Sequence, residues 1–197
     1  SNDLSALSDS QAVQACTLLR ARLIDVVART GGHLASSLGA VELIVAIHRV
    51  FNTGLDRVVF DVGHQCYAHK ILTGRNAAME TLRTLGGLAG FPKPSESDCD
   101  AFVAGHASNS VSVAVGMARA RTLQKQDYHV LALIGDGALS GGLAYEGLSD
   151  AGDSGEPLIV ILNDNGMSIT KSVGGVSEHL ARQRHKPQYL QFKQGYR

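Results

Sequence analysis

Two apolar runs in the second half of the chain end in abrupt polar breaks. Val130-Leu131-Ala132-Leu133-Ile134 stops at Gly135-Asp136-Gly137, and Leu158-Ile159-Val160-Ile161-Leu162 stops at Asn163-Asp164-Asn165. Short apolar runs without alternation predict parallel strands buried on both faces. The small-residue segment between them, 140–151, predicts a helix. Strand, helix and strand make a right-handed crossover, which brings both polar breaks to the carboxyl edge of one sheet.

The first half carries a different rhythm. Val13, Cys16, Leu19, Leu23 and Val26 or Val27 recur at helical spacing over 8–29. Asp9 or Ser10 is the expected cap, and Gly31-Gly32 the expected stop. A second helix, over 38–51, is apolar around much of its surface and belongs between the sheet and a neighbour. Residues 57–61 predict a short strand, 68–72 and 77–85 short helices, and 111–123 a longer one. The run 86–97 is rich in turn formers, and 101–105 predicts another strand edge. No internal repeat or low-complexity segment interrupts this order. The fold class expected is α/β, a parallel sheet flanked by helices on both faces.

The polar breaks carry candidate chemistry. Asp136 offers a hard anionic oxygen and Asn165 a neutral one, a ligand set that suits magnesium with its remaining positions open to water and phosphate. Gly135 and Gly137 allow a sharp turn and close approach to a bulky anion. The helix that follows points its N-terminal N–H groups the same way. A diphosphate clamped through a divalent metal is the natural occupant. His33, His64 and His106 each follow a glycine where one apolar element gives way to the next. Imidazole there can donate to phosphate or move a proton near neutral pH. The other histidines, His48, His69, His129, His179 and His185, lack that setting and are expected to be structural.

Composition narrows the class. The 197 residues fit one domain with a full core, or slightly more. Eighteen basic and eighteen acidic residues cancel, which argues against a nucleic-acid footprint. Cys16, Cys66 and Cys99 lack metal spacing and suit a reducing compartment, and no run is long enough to span a membrane. A cytoplasmic protein is expected. From Glu178 onward five Lys or Arg face one acid. The favoured reading is a solvated amphipathic segment with Leu180, Tyr189, Leu190 and Phe192 touching the body. The alternative is a mobile basic arm closing over a phosphorylated substrate.

The wording around the polar breaks, GDGALSGGLAYEGLSDAGDSGEPLIVILNDNGMSI, resembles the 1-deoxy-D-xylulose-5-phosphate synthase family, thiamine-diphosphate enzymes related to transketolase. TGGHLASSLGAVEL, DVGHQCYAHKILTGR, GGLAGFPKPSESDCDAF and AGHASNSVS resemble the same family in the same order, so the likeness runs from about Leu19 to Phe192. It implies the fold of the diphosphate-binding domain, with thiamine diphosphate and Mg2+ as cofactors. On this likeness His33 is a proton-transfer residue and His64 lies beside the thiamine ring and substrate, both catalytic. Gly105, His106 and Ala107 line the diphosphate, Gly137 and Ala138 hold the phosphates, and Asn165 contacts cofactor and metal. Asp136, Asn165 and the Met167 carbonyl bind magnesium. Ala107 stands where the family commonly has Ser, and Gly166 where it often has Glu.

The resemblance also implies a reaction: pyruvate and D-glyceraldehyde 3-phosphate condense to 1-deoxy-D-xylulose 5-phosphate and carbon dioxide, a precursor for isoprenoids, thiamine and pyridoxal. The full-length enzyme would be a homodimer in the cytoplasm, with no nucleic-acid or membrane partner. Residues 1–177 are then the diphosphate- and magnesium-binding domain, incomplete relative to the family, and 178–197 a basic segment. The family's activating glutamate belongs to a pyrimidine-binding domain that these residues do not match, so the chain alone is expected to be inactive. Two alternatives stand beside this: half of a split transketolase-type transferase, and a cofactor-binding module with no turnover of its own.

Overall fold

The computed structural model describes residues 4–164 and 174–195. Among them three strands form one parallel sheet in the order β1 (Arg57–Phe60), β2 (Val130–Gly135), β3 (Ile159–Asn163). Register runs from Arg57 beside Val130 to Phe60 beside Leu133, and from Leu131 beside Ile159 to Gly135 beside Asn163. The carboxyl ends of all three strands therefore point to one edge.

Side-chain alternation splits the core into two layers. Val58, Phe60, Leu131 and Leu133 face one way, against α1 (Asp9–Thr30), α3 (Val41–Val50) and α4 (Tyr67–Lys70). Val59, Val130, Ala132 and Ile134 face the other, against α5 (Ser110–Leu123), α6 (Asp136–Leu139) and α7 (Gly142–Ser154). Helices cover both faces, as the pattern predicts. A short helix, α2 (Leu34–Gly39), leads into α3, and α8 (Gly175–Arg184) and α9 (Pro187–Gly195) follow β3.

Several local expectations change. Ser8 caps α1: its hydroxyl accepts from the Gln11 amide while the Gln11 side chain accepts from the Ser8 amide. That reciprocal pair satisfies two orphan N–H groups, which neither Asp9 nor Ser10 does here. The single helix expected over 38–51 is two, because buried Ala40 (φ −109°, ψ 0°) ends α2 and starts α3. The strand edge expected over 101–105 is irregular backbone. Asp100, just before it, is buried and held by both terminal nitrogens of Arg75 at 2.7 Å. β2 is buried on both faces, but β3 is not: Ile159 is 40 % exposed, because β3 has no strand on its outer side among the described residues. In the basic segment Leu180 packs on the second layer, whereas Tyr189 and Leu190 are each 45 % exposed. Phe192's contacts, Asn165, Gly166 and Met167 lie outside what is described.

Candidate functional site at the carboxyl edge

The site is built from the loops that leave the sheet. Past β1, the Asp61 amide extends the ladder by donating to the Leu133 carbonyl at 2.8 Å. The chain then turns through Val62 and Gly63, both at positive φ, and delivers His64. Gly63 is required there: a Cβ would fall 2.5 Å from Pro92 Cδ and 2.7 Å from Ala104 Cβ. His33 arrives from the end of α1. Its amide donates to the Tyr67 hydroxyl at 3.3 Å, and its ring stands edge-on to that of His64, centroids 5.3 Å apart. The Phe91 ring is tilted against that of His33, centroids 6.3 Å apart.

His33 is exposed and His64 half-buried. Burial holds the His64 imidazole below the ordinary histidine value, and His33 adds to the effect while Asp61 opposes it. His64 is therefore neutral near pH 7. Its Nδ1 is buried and has no hydrogen-bond partner among the described residues. An orphaned buried nitrogen costs free energy unless a ligand completes it.

The loop 105–108 is tied at both ends. The Val62 amide donates to the His106 carbonyl at 3.3 Å, and the Ser108 hydroxyl donates to the Ala138 carbonyl at 2.7 Å. Buried Asp61 accepts from the amides of Ser108 and Ser110, at 2.8 and 3.0 Å. Gly105, His106 and Ala107 stay exposed on the loop, open to a ligand. Gly141 permits the Ser108–Ala138 contact, since a Cβ there would collide with the Ser108 side chain. Gly135, Asp136, Gly137 and Ala138 are half-buried where β2 runs into α6.

The structure thus gathers His33 with His64, and joins loop 105–108 to Ala138. Asp136 follows Gly135, which lies beside Asn163, so the chain bound for Asn165 leaves the sheet next to Asp136. Of the expected magnesium ligands, the described residues hold the Asp136 carboxylate at this edge, and the orphaned His64 nitrogen fits a ligand reaching across it. No group of three or more His, Cys, Asp or Glu side chains among the described residues converges on a metal position. The shallow cavity of about 500 Å³ lined by Arg121, Tyr128, His129 and Glu156 lies at the opposite, amino edge. Arg121 is committed there to the Tyr128 and Pro157 carbonyls and to Glu156, so that cavity is not the site.

Two groups of residues escape sequence reasoning. Asp61 reads as a strand end, yet it organises the 105–110 loop. His48, His69, Lys70, Arg75, Glu96 and Asp100 form a buried polar network beside the site. The sequence signal for it is the polar pair His69-Lys70, set between Tyr67-Ala68 and Ile71-Leu72.

Parallel α/β architecture with polar loops converging at the strands' carboxyl ends defines the general class, a ligand-binding doubly covered sheet. Comparison with known proteins makes it specific. The sequence profile of 1-deoxy-D-xylulose-5-phosphate synthase matches residues 1–197. Proteins of that name are similar to the chain: 56% identical over 179 residues in Parabacteroides distasonis (90% of this chain, 28% of that one) and 53% over 191 residues in Desulforudis audaxviator (97% and 30%). In Lachnoclostridium phytofermentans the identity is 50% over 194 residues (98% and 31%). The chain belongs to the 1-deoxy-D-xylulose-5-phosphate synthase family, as a counterpart of its N-terminal part. It spans between 28% and 31% of the length of these relatives.

Proposed function

We propose that this chain is the diphosphate-binding part of an enzyme that condenses pyruvate with D-glyceraldehyde 3-phosphate, releasing carbon dioxide and forming 1-deoxy-D-xylulose 5-phosphate. The observation that carries the reading is the β2–β3 register, with Gly135 beside Asn163. It supports a shared position for the Asp136 carboxylate and the amide two residues past Asn163. Asp136, Asn165 and the Met167 carbonyl would hold Mg2+. Gly137, Ala138, Gly105, His106 and Ala107 would receive the diphosphate. Thiamine diphosphate, when bound, supplies the electron sink that decarboxylation and carbon–carbon bond formation require. His64, neutral and with Nδ1 unpartnered, is suited to accept a hydrogen bond or proton at that atom. His33, exposed 5.3 Å away between the rings' centroids, is suited to pass a proton to the substrate oxygen. The reading includes a homodimeric, cytoplasmic full-length enzyme serving isoprenoid and thiamine synthesis, and no turnover by these 197 residues alone.

The test is an assay of the full-length gene product with thiamine diphosphate and Mg2+. Release of carbon dioxide from pyruvate that depends on glyceraldehyde 3-phosphate is the expected result. Preference for a ketose phosphate donor would replace this reading with a transketolase-type transferase.

A further inference from the structure

The turn-rich run 86–100 is fastened by buried charge. Lys70 Nζ donates to Glu96 Oε2 at 2.6 Å, and Arg75 grips both oxygens of Asp100 at 2.7 Å. The side chains of Lys70 and Asp100 are fully buried, those of Arg75 and Glu96 nearly so. Two cations and two anions balance, which makes the burial tolerable. Each carboxylate also accepts one amide of the loop: Glu96 Oε1 takes Ala89 N–H at 2.8 Å, and Asp100 Oδ2 takes Lys93 N–H at 2.7 Å.

What lies between those two amides gives the arrangement its meaning. The span is Gly90-Phe91-Pro92. Phe91 packs on the His33 ring, and Pro92 sits so tightly on Gly63, the residue before His64, that no side chain would fit there. Buried ion pairs contribute little net stability compared with apolar residues of similar size. We propose that Glu96 and Asp100 are positioning residues, which clamp 89–93 as a fixed wall against His33 and His64 and so set where the two imidazoles stand. The proposal deepens the functional reading above and, for its effect on turnover, rests on it.

Two double variants of the full-length enzyme separate clamping from mere stabilisation. Lys70→Met with Glu96→Gln discharges the pair but keeps an acceptor for the Ala89 amide. Lys70→Met with Glu96→Leu discharges it and removes the acceptor. With both variants folded, the Leu form should lose about 10- to 100-fold in kcat with cofactor affinity unchanged, a range set by what small misplacement of reacting groups costs. Amide exchange across 88–93 should quicken in it, and the Hε1 resonance of His33 should move. The Gln form should stay within about threefold of the parent on kcat, as an intact near-attack geometry requires. Equal kcat in the two forms, with an unmoved His33 resonance, would overturn the proposal. Absence of turnover in the unsubstituted enzyme would instead overturn the functional reading, while exchange and the His33 resonance still decide the clamp.

Discussion

The Asp61 carboxylate receives the Ser108 amide at 2.8 Å, joining the end of β1 to a loop 47 residues further on. Its second oxygen receives the Ser110 amide at 3.0 Å, so a buried carboxylate answers the first N–H group of α5. Ser108 in turn donates to Ala138, in the turn after β2. One buried carboxylate thus fixes the relation between the 105–108 loop and the Asp136 turn. Asp61→Asn can accept only one of the two amides and presents an NH2 to the other. Hydrogen bonds to a charged group contribute about 1.5–3 kcal/mol each, so a loss of about tenfold or more in thiamine diphosphate affinity is expected. Calorimetric titration of the full-length enzyme checks it; unchanged affinity would make Asp61 a purely structural residue.

Asp136 opens α6 directly after β2, at the edge where β3 also ends. Asp136→Ala removes the one carboxylate of the proposed metal set without touching the apolar core, in which Leu139 is the buried residue of α6. Cofactor binding in the presence of magnesium should fall to the level seen with a chelator. An affinity equal to the parent's in magnesium would remove Asp136 from the metal.

Much of the scaffold was legible because it depends on local pattern. Val130 to Ile134 is apolar at every position, and it forms a strand buried along both faces. The break at Gly135 falls where the strand ends. The α2–α3 division falls at Ala40, which carries no breaker chemistry itself; its backbone angles (φ −109°, ψ 0°) mark the break, and Gly39 before it is the one local stop signal. The glycine before each of His33, His64 and His106 picked out the histidines that lie in loops at the strands' carboxyl edge, but spacing could not say that two of them touch. Asp61 and the Lys70–Glu96 pair stayed hidden for a common reason. Their partners are tens of residues away, and a lone charge in the sequence looks the same whether solvated or clamped.

Two helical glycines should respond to alanine in opposite directions. At Gly147 of α7 a Cβ would lie 2.9 Å from the Ser112 backbone nitrogen and 3.2 Å from Val111 Cβ, so the glycine lets α7 press against α5. Gly147→Ala should cost about 1–3 kcal/mol through overpacking. At Gly116 of α5 a Cβ meets nothing within 4 Å. Gly116→Ala should add about 0.5–1 kcal/mol from helix propensity alone. Urea denaturation of both variants gives the comparison, and a common sign would refute the packing argument at Gly147.

Acid should weaken the fold through His48 before the carboxylates titrate. His48 Nε2 and His69 Nδ1 share a hydrogen bond of 2.9 Å, which needs one proton between two nitrogens. Burial, and then the nearness of His69, pushes His48 down to about 3. His69 is lowered as well, chiefly by burial, although Asp100 opposes this. Burial alone would raise the Asp100 carboxyl, but hydrogen bonds from Arg75, His69 and the Lys93 amide outweigh it and hold it low. An unfolded histidine binds its proton near pH 6.5, so between about 3 and 6.5 the unfolded chain holds a proton that folded His48 refuses. Stability is then fully present above about pH 6.5 and declines as pH falls, by up to about 1.4 kcal/mol per pH unit for one histidine. Asp100 adds its own loss only below the ordinary aspartate value of about 3.9. His48→Gln keeps a hydrogen-bonding partner for His69 and does not titrate. Its stability difference between about pH 7 and about pH 5 should be smaller than the parent's by roughly 1–2 kcal/mol. The same difference in both proteins would mean that folded His48 takes up its proton as readily as the unfolded chain does.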